Sequence, residues 1–190
     1  MKKILLLLCI AFIGITSANA QAVWGIRAGA CYSTANFSYN ESYGGDDYSG
    51  TTSVSGSAGF EVGPVLYLGL KKNFYINTSA MFSMKNFDDT NVSYIEVPLY
   101  LGYSIPVGNF NLYAQAGPYA GIKVAGRMSP LLNTFNAGLG LVGGINLKKF
   151  KFELGYQQGL MNIWDSGVWA DGYNAKLTIG SAFIGISYIF

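Results

Sequence analysis

Apolar and polar residues alternate along most of the chain after position 20, and this period of two is the dominant pattern in the sequence. The alternation recurs in segments of about ten residues, the length that a tilted β-strand needs to cross a bilayer. Eight such segments are predicted, at 23–33, 56–70, 74–85, 93–104, 111–123, 136–147, 151–160 and 180–190. The predicted fold class is therefore all-β, a closed antiparallel up-and-down transmembrane β-barrel of about eight strands.

The two faces of each segment differ in size as well as in polarity. In the first segment, Trp24 and Ile26 lie on one face, whereas Gly25 and Arg27 lie on the other. A barrel of about eight strands has too little interior volume for the large apolar face, so we expect that face to point outward to lipid. A soluble barrel of the lipocalin type would show the same alternation with the opposite sense, and it is the alternative interpretation.

The eighth segment keeps its phase only from Gly180 onward. Upstream of that residue, a continuous strand would turn Leu177 and Ile179 towards the interior and Lys176 towards lipid. The extra residue of a β-bulge shifts the phase of a strand by one position. We therefore predict a bulge just before Gly180.

The connections between the predicted strands alternate in length. Short connections lie at 71–73, 105–110 and 148–150, and mostly longer ones, rich in Gly, Ser, Asn and Asp, lie at 33–55, 86–92, 124–135 and 162–174. In outer-membrane barrels the short turns face the periplasm and the long loops face the outside. The pattern of lengths predicts that both termini are periplasmic. The Asp residues of the long connections and the Lys residues of the short ones predict that the outer loops are acidic and the inner turns basic.

The first twenty residues have the composition of an export signal. A basic start at Met1-Lys2-Lys3 is followed by an apolar run over 4–15 and by the small residues of Ala18-Asn19-Ala20. The apolar run is too short to span a bilayer as a helix. We expect a cleaved signal peptide at 1–20 and a single outer-membrane β-barrel domain at 21–190.

Composition and charge narrow the possible partners. Charged residues make up 12% of the chain, against about 25% in an ordinary soluble domain, so much of the surface is expected to face something other than water. Removal of Lys2 and Lys3 reduces the twelve Lys and Arg to ten, which balance ten Asp and Glu. A neutral chain offers no basic surface, and we expect no nucleic-acid partner.

The residue types needed for most catalysis and metal binding are scarce. The sequence contains no histidine, the commonest general base and metal ligand. Loss of Cys9 with the signal leaves Cys31 alone, which excludes an intrachain disulfide and a cysteine metal site. We expect no catalytic residue, no metal and no cofactor, and we predict that the protein is not an enzyme.

One glycine motif resembles a dinucleotide-binding loop. Gly138, Gly140 and Gly143 have the spacing G-x-G-x-x-G, but the alternation continues after them and no helix is predicted to follow. A dinucleotide site needs that helix to bind the pyrophosphate. We interpret the motif as part of a glycine-lined barrel wall.

Six charged residues fall on the predicted inward face. Unpaired charges in a narrow lumen cost several kcal/mol each, so we expect these residues to pair and to plug the lumen. The alternatives are a residual path for ions and a hydrolase that uses paired carboxylates. The predicted lumen charge network consists of Arg27, Glu61, Lys85, Glu96, Lys123 and Glu153.

Aromatic residues near the end of the chain provide two further candidates. Trp164 and Trp169 lie in the last long connection, where they are candidate contacts of the outer loops to a sugar or partner, or interface anchors. Tyr188 and Phe190 are predicted to form the C-terminal barrel-insertion signal, which implies the outer-membrane insertion machinery as a partner during biogenesis.

Several blocks of the chain resemble the PorT-like outer-membrane β-barrel domain of the Bacteroidota. They are the residues at 25–29, 94–101, 115–119 and 155–163, together with the Phe190 terminus. Two positions depart from the family pattern, because Gly155 stands where an Arg is common and Asn136 stands where an Asp is expected. These departures weaken the transfer of an interior charge network but not that of the fold.

The resemblance implies a location in the cell outer membrane, in contact with its lipid and lipopolysaccharide. The family is defined by architecture, and some relatives look like accessory subunits of larger envelope machines. Three hypotheses follow. The first is a structural or accessory barrel with a plugged lumen and outer loops as its contact surface; the second is a subunit of a larger secretion, assembly or uptake complex; the third is a small ion or solute channel.

Overall fold

A computed structural model describes residues 21–43, 46–87, 90–126, 133–163 and 174–190. The predicted signal peptide at 1–20 lies outside these ranges. The described residues form ten β-strands. In chain order they are β1 (Ala22–Tyr43), β2 (Asp46–Val54), β3 (Ser57–Gly69), β4 (Phe74–Ser79), β5 (Met81–Phe87), β6 (Thr90–Val107), β7 (Phe110–Gly126), β8 (Phe135–Leu147), β9 (Phe150–Gly159) and β10 (Asn174–Ile189).

The sheet closes into a ring because β1 pairs with β10 on one side and with β3 on the other, so that Arg27 lies opposite both Ser187 and Gly63. β4 and β5 form one barrel strand interrupted at Ala80, since both pair with β3 and with β6. All pairings are antiparallel, in the ring order β1, β3, β4 with β5, β6, β7, β8, β9, β10. These eight ring positions confirm the predicted fold class.

Adjacent residues point to opposite sides of the barrel wall, as the alternation predicted. On β9, Glu153 is 5% exposed and its neighbour Leu154 is 64% exposed. Large apolar side chains such as Leu141 and Ile184 lie on the outer surface, whereas tyrosines such as Tyr100 are buried inside. The apolar face is therefore the outer one, which is opposite to the arrangement in a lipocalin.

Glycines on the inner face make room for the interior tyrosines. A Cβ at Gly140 would overlap the phenol ring of Tyr100, and a Cβ at Gly102 would overlap the ring of Tyr75. The sequence pattern of glycine and tyrosine on one face is thus a packing pattern, in which a residue without a side chain on one strand accommodates a large ring from another.

The three short connections lie together at one end of the barrel, which we call the turn end; the opposite end is the loop end. Lys72 and Asn73, between β3 and β4, have φ of 57° and 67°, and Lys148, between β8 and β9, has φ of 55°. Gly108, between β6 and β7, has φ of 59°. These left-handed residues reverse the chain tightly, as the predicted short connections require.

The predicted long connection at 33–55 is wrong for most of its length. β1 continues to Tyr43 and pairs with β2, so these residues form a hairpin that extends the sheet at the loop end. The side chains of Ser53 and Asn36 are hydrogen bonded across this hairpin at 2.9 Å. Serine and threonine side chains occur on solvent-facing strands as well as in loops. A composition rich in these residues therefore predicted a loop where two paired strands form. The connections at 124–135 and 162–174 lie partly outside the described residues.

The predicted bulge before Gly180 is also wrong. β10 pairs with β1 without interruption from Tyr188 to Asn174, and Ile179 lies opposite Ala35 in the same register. Leu177 and Ile179 point inward and are buried, whereas Lys176 is exposed. The phase does not shift, because the interior of the barrel changes from polar to apolar at the loop end.

Two register irregularities occur elsewhere in the described strands. One lies on β3 between Ser57 and Phe60, and the other lies between β6 and β7 at Ser93 and Tyr94. Both are near the loop end, where bulges bend the rim of a barrel. The part of the chain that the structure describes contains no helix long and apolar enough to cross a membrane.

Candidate functional site in the barrel lumen

One ion-pair group in the lumen, which we call the lower group because it lies nearer the turn end, is built from three strands. Arg27 on β1 places Nη2 2.8 Å from Oε1 of Glu61 on β3, and its Nη1 donates a hydrogen bond of 2.6 Å to Oε1 of Glu153 on β9. All three side chains are buried. The guanidinium also lies 5.1 Å from the ring centroid of Phe183. Arg27 thus joins two carboxylates from opposite sides of its own strand.

A second ion pair lies nearer the loop end. Lys85 on β5 donates a hydrogen bond of 2.5 Å from Nζ to Oε1 of Glu96 on the adjacent β6, and both side chains are buried. The ammonium group lies over the rings of Tyr94 and Tyr119, at 5.6 and 6.0 Å from their centroids. The aromatic faces supply negative electrostatic potential to a cation that is removed from water.

A further buried cation, Lys151, was not singled out in the sequence analysis. Its Nζ lies among three tyrosine rings on β3, β4 and β7, at 3.7 Å from the centroid of Tyr67, 4.2 Å from that of Tyr113 and 4.9 Å from that of Tyr75. We call this group the tyrosine cage. Lys151 has the same parity on β9 as Glu153, and this signal would have placed it inside.

Lys151 completes the charge balance of the lumen. Arg27 carries one positive charge against the two carboxylates of Glu61 and Glu153, whereas Lys85 is matched by Glu96. Lys151 lies on the same face of β9 as Glu153, and the hydroxyl of Tyr113 donates a 3.1 Å hydrogen bond to Glu153 Oε2. Lys151 Nζ contacts tyrosine rings and, among the described residues, no carboxylate, so its charge offsets the second carboxylate of the Arg27 group across a longer distance.

Neutral polar side chains and glycines fill the rest of the lumen. Gln157 donates from Nε2 to the hydroxyl of Tyr100 at 3.0 Å, and Ser33 and Ser181 share a hydrogen bond of 2.9 Å. Gly155 stands where the resembling family commonly has an arginine, and the ring of Phe183 occupies the space that a side chain there would need.

The loop end of the lumen is apolar. Ile163, which follows β9, is fully buried there, and its N–H donates to the Leu177 carbonyl at 2.9 Å while its own carbonyl accepts from the Asn133 N–H at 2.7 Å. We call the group of buried apolar residues around it the loop-end cluster. Its members are Ala35, Phe87, Val92, Tyr94, Ile163, Leu177 and Ile179.

The remaining predicted site residues lie in different environments. Lys123 is half-buried on β7 opposite Tyr94, closer to the loop end than Glu96. Tyr188 and Phe190 are exposed on the outer surface with their ring centroids 5.8 Å apart. Trp164 and Trp169 lie outside the described residues. Cys31 is buried on the inner face, where its thiol donates to the Met84 carbonyl at 3.7 Å.

The described carboxylates of the lumen are paired with cations and are not grouped as a metal site. Among the described residues, no three His, Cys, Asp or Glu side chains are grouped so that they could hold a metal ion. The glutamates Glu61, Glu96 and Glu153 each engage a cation. The tyrosine cage, the two ion-pair groups and the loop-end cluster place buried side chains along the inner face from the turn end to the loop end.

Comparison with known proteins gives one family match. The family described as "Outer membrane protein beta-barrel domain" matches residues 17–165. A comparison with curated protein sequences gives no match.

Two solved structures of small bacterial barrels are similar in fold. Neisserial surface protein A (NspA) superposes with a TM-score of 0.51 at 12% identity, over 88% of this chain and 97% of that chain. The outer membrane protein OprG from Pseudomonas aeruginosa superposes with a TM-score of 0.52 at 14% identity, over 90% of this chain and 97% of that chain. At such low identity these likenesses concern the fold alone.

Proposed function

The chain belongs to the outer membrane protein beta-barrel domain family, and from this premise we propose that it is an integral barrel with a closed lumen and a structural or accessory role. Membership of this family, together with the fold, indicates the cell outer membrane as its location. The proposed contact surface consists of the outer loops and the hairpin of β1 and β2, which extends beyond the ring of paired strands.

The burial of the charged residues on the inner face is the observation that supports this proposal. Arg27, Lys85 and Lys151 stand against three glutamates, and none of these six residues is more than 7% exposed. A conducting pore needs a continuous aqueous path lined by solvated groups. The loop-end cluster adds buried apolar side chains beside Lys85, and apolar surroundings are unfavourable for ions and water.

Recording from the purified protein in a planar lipid bilayer tests the closed lumen. We expect no steady conductance from the wild type. A variant with Ala at Arg27, Glu61, Glu153 and Lys151, and also at Phe87, Leu177 and Ile179 of the loop-end cluster, removes both barriers without leaving a net charge, and it serves as the conducting comparison. Steady conductance of the wild type at the level of this variant would overturn the proposal in favour of the small channel.

A role as a subunit of a larger envelope complex is the second candidate. The PorT-like blocks at 94–101 and 155–163 support it, and so does the protruding hairpin, since an extended strand pair is a suitable contact surface for a protein partner. A tag inserted between residues 44 and 45 permits purification in mild detergent. Recovery of stoichiometric partners is expected from this hypothesis, whereas repeated recovery of the barrel alone would count against it.

The orientation proposed from the sequence has periplasmic termini and outward loops. Its expected partners are outer-membrane lipid and lipopolysaccharide, with the insertion machinery binding the terminal strand at Tyr188 and Phe190 during biogenesis. We propose no nucleic-acid partner, no cofactor and no enzymatic activity, on the grounds of the balanced charge and the sequence without histidine. Protease access to the tagged hairpin in intact cells would test the orientation, because a periplasmic hairpin would be protected.

A further inference from the structure

Two of the three short turns each combine two lysines with a pair of packed aromatic rings. The turn between β3 and β4 carries Lys71 and Lys72, and Phe74 after it packs against Tyr103 of β6, with ring centroids 4.8 Å apart. All four side chains are exposed.

The turn between β8 and β9 repeats this arrangement. It carries Lys148 and Lys149, and Phe150 after it packs against Tyr188 of β10, with ring centroids 5.3 Å apart. The Nζ atom of Lys149 lies 5.7 Å from the centroid of the Tyr188 ring. Phe190 extends this aromatic surface and is 72% exposed. The lysine and the rings thus share one patch on the outer surface.

The charge at this end of the barrel is positive. The segments at 21–24, 69–75, 103–112, 146–151 and 187–190 contain no Asp or Glu. The acidic residues at 61, 96 and 153 are buried in the lumen, and Glu41, Asp46 and Asp47 lie on the paired strands β1 and β2 at the loop end. The exposed lysines of the two turns therefore have no acidic side chain nearby in these segments to neutralise them.

The third turn differs and provides an internal contrast. Gly108 and Asn109 occupy the connection between β6 and β7, and no lysine stands there. The pairs of lysines are thus a feature of two particular turns and are not required to reverse the chain.

We propose that each of the two lysine turns binds the headgroup of an anionic phospholipid at the membrane surface. The ammonium groups contact the lipid phosphate, since lysine is a flexible point charge that suits phosphate. The adjoining rings, Phe74 with Tyr103 and Phe150 with Tyr188, contact the glycerol and upper acyl region, where aromatic side chains are enriched. Basic residues next to a membrane attract anionic lipid in the same way.

This inference depends on the location in the outer membrane and not on the closed lumen. A barrel that conducts would retain both lysine turns, and a barrel that fails to bind anionic lipid would still have a filled interior. The two proposals therefore fail in distinguishable ways.

The test measures which lipids remain on the protein. Protein purified from outer membranes is reconstituted in nanodiscs of equal parts phosphatidylcholine and phosphatidylglycerol, and the retained lipids are counted by native mass spectrometry after release. We expect the wild type to retain phosphatidylglycerol preferentially. In the variant K71Q/K72Q/K148Q/K149Q, we expect the ratio of retained phosphatidylglycerol to phosphatidylcholine to fall at least about fivefold. The reason is that each lysine near an anionic membrane surface contributes about 1 kcal/mol of attraction.

Three controls make the result specific. The variant with Arg at the same four positions retains the charges and is expected to retain the preference for phosphatidylglycerol. Lys176→Gln removes an exposed charge on β10 away from the turn end, and it is expected to leave the preference unchanged. A gel migration of unboiled samples that changes on heating verifies that each variant is folded. Equal retention of both lipids by the wild type, or an undiminished preference in the Gln variant, would overturn the proposal. Displacement by lipopolysaccharide in preference to phosphatidylglycerol would also contradict it.

Discussion

Arg27 and Glu153 form a 2.6 Å hydrogen bond although a whole strand, β10, separates their own strands in the ring. Gly185 of β10 lies between them, and a Cβ there would stand 3.4 Å from Glu153 Cγ and 3.6 Å from Arg27 Cδ. The two long side chains therefore meet above a residue that has none. This contact belongs to the lower group, and it predicts how the free energy of unfolding changes when Arg27 is replaced.

Replacement of Arg27 by Met is expected to lower the free energy of unfolding by about 3–5 kcal/mol, because Glu61 and Glu153 would remain buried without their cation. Urea unfolding of the refolded protein, followed by heat-modifiable gel migration, measures the change. The triple variant R27M/E61Q/E153Q removes the carboxylate charges as well and is expected to recover most of the loss. A triple variant no more stable than R27M would contradict the ion-pair interpretation.

Replacement of Lys151 by Met is expected to destabilise the barrel by about 2 kcal/mol, since the tyrosine cage loses a desolvated cation and the lower group keeps an excess negative charge. The same unfolding measurement applies. Lys151→Arg keeps the charge and serves as the matched variant, and K151M/E153Q restores neutrality. If Lys151→Met had no effect while Lys151→Arg were destabilising, the size of the side chain and not its charge would be the determinant.

A methyl group added at Gly140 is expected to destabilise the barrel by about 1–3 kcal/mol, because it would overlap the ring of Tyr100. Gly143 on the same strand provides the control, since the nearest atom to a Cβ there is the Tyr113 carbonyl oxygen at 3.8 Å. We expect Gly143→Ala to leave the unfolding midpoint almost unchanged. The added methyl should cost less free energy in the Y100A background (G140A/Y100A against Y100A) than in the wild type (G140A against wild type). An equal cost in both backgrounds would show that no such overlap exists.

Replacement of Leu177 by Ala is expected to cost about 2–5 kcal/mol, as for a large side chain removed from a packed core. Lys176→Ala, at the exposed neighbouring position, should change stability by less than about 0.5 kcal/mol. Both variants are compared by urea unfolding. The reverse order of effects would mean that the strand is out of phase here, as the bulge predicted from the sequence required.

The sequence predicted the barrel well because a wall with lipid on one side and a narrow interior on the other imposes a period of two on every strand. Trp24 and Ile26 were assigned to the outer face and Arg27 and Glu153 to the inner face from this pattern alone. It failed at the loop end, where Leu177 and Ile179 are apolar and yet point inward. Alternation reports a difference between two faces, and it does not state that the inner face is polar along the whole strand.

The sequence by itself determined the strand order, the sense of the two faces and most of the charges available to the interior, although Lys151 was missed. The tertiary structure alone decided that Arg27 pairs with Glu61 and Glu153, that Lys85 pairs with Glu96, and that Lys151 lies among three tyrosines. The physical reason is geometric. Parity fixes the side of the wall, which is a local property of one strand, whereas contact across the lumen depends on the register and tilt of all the strands in the closed ring.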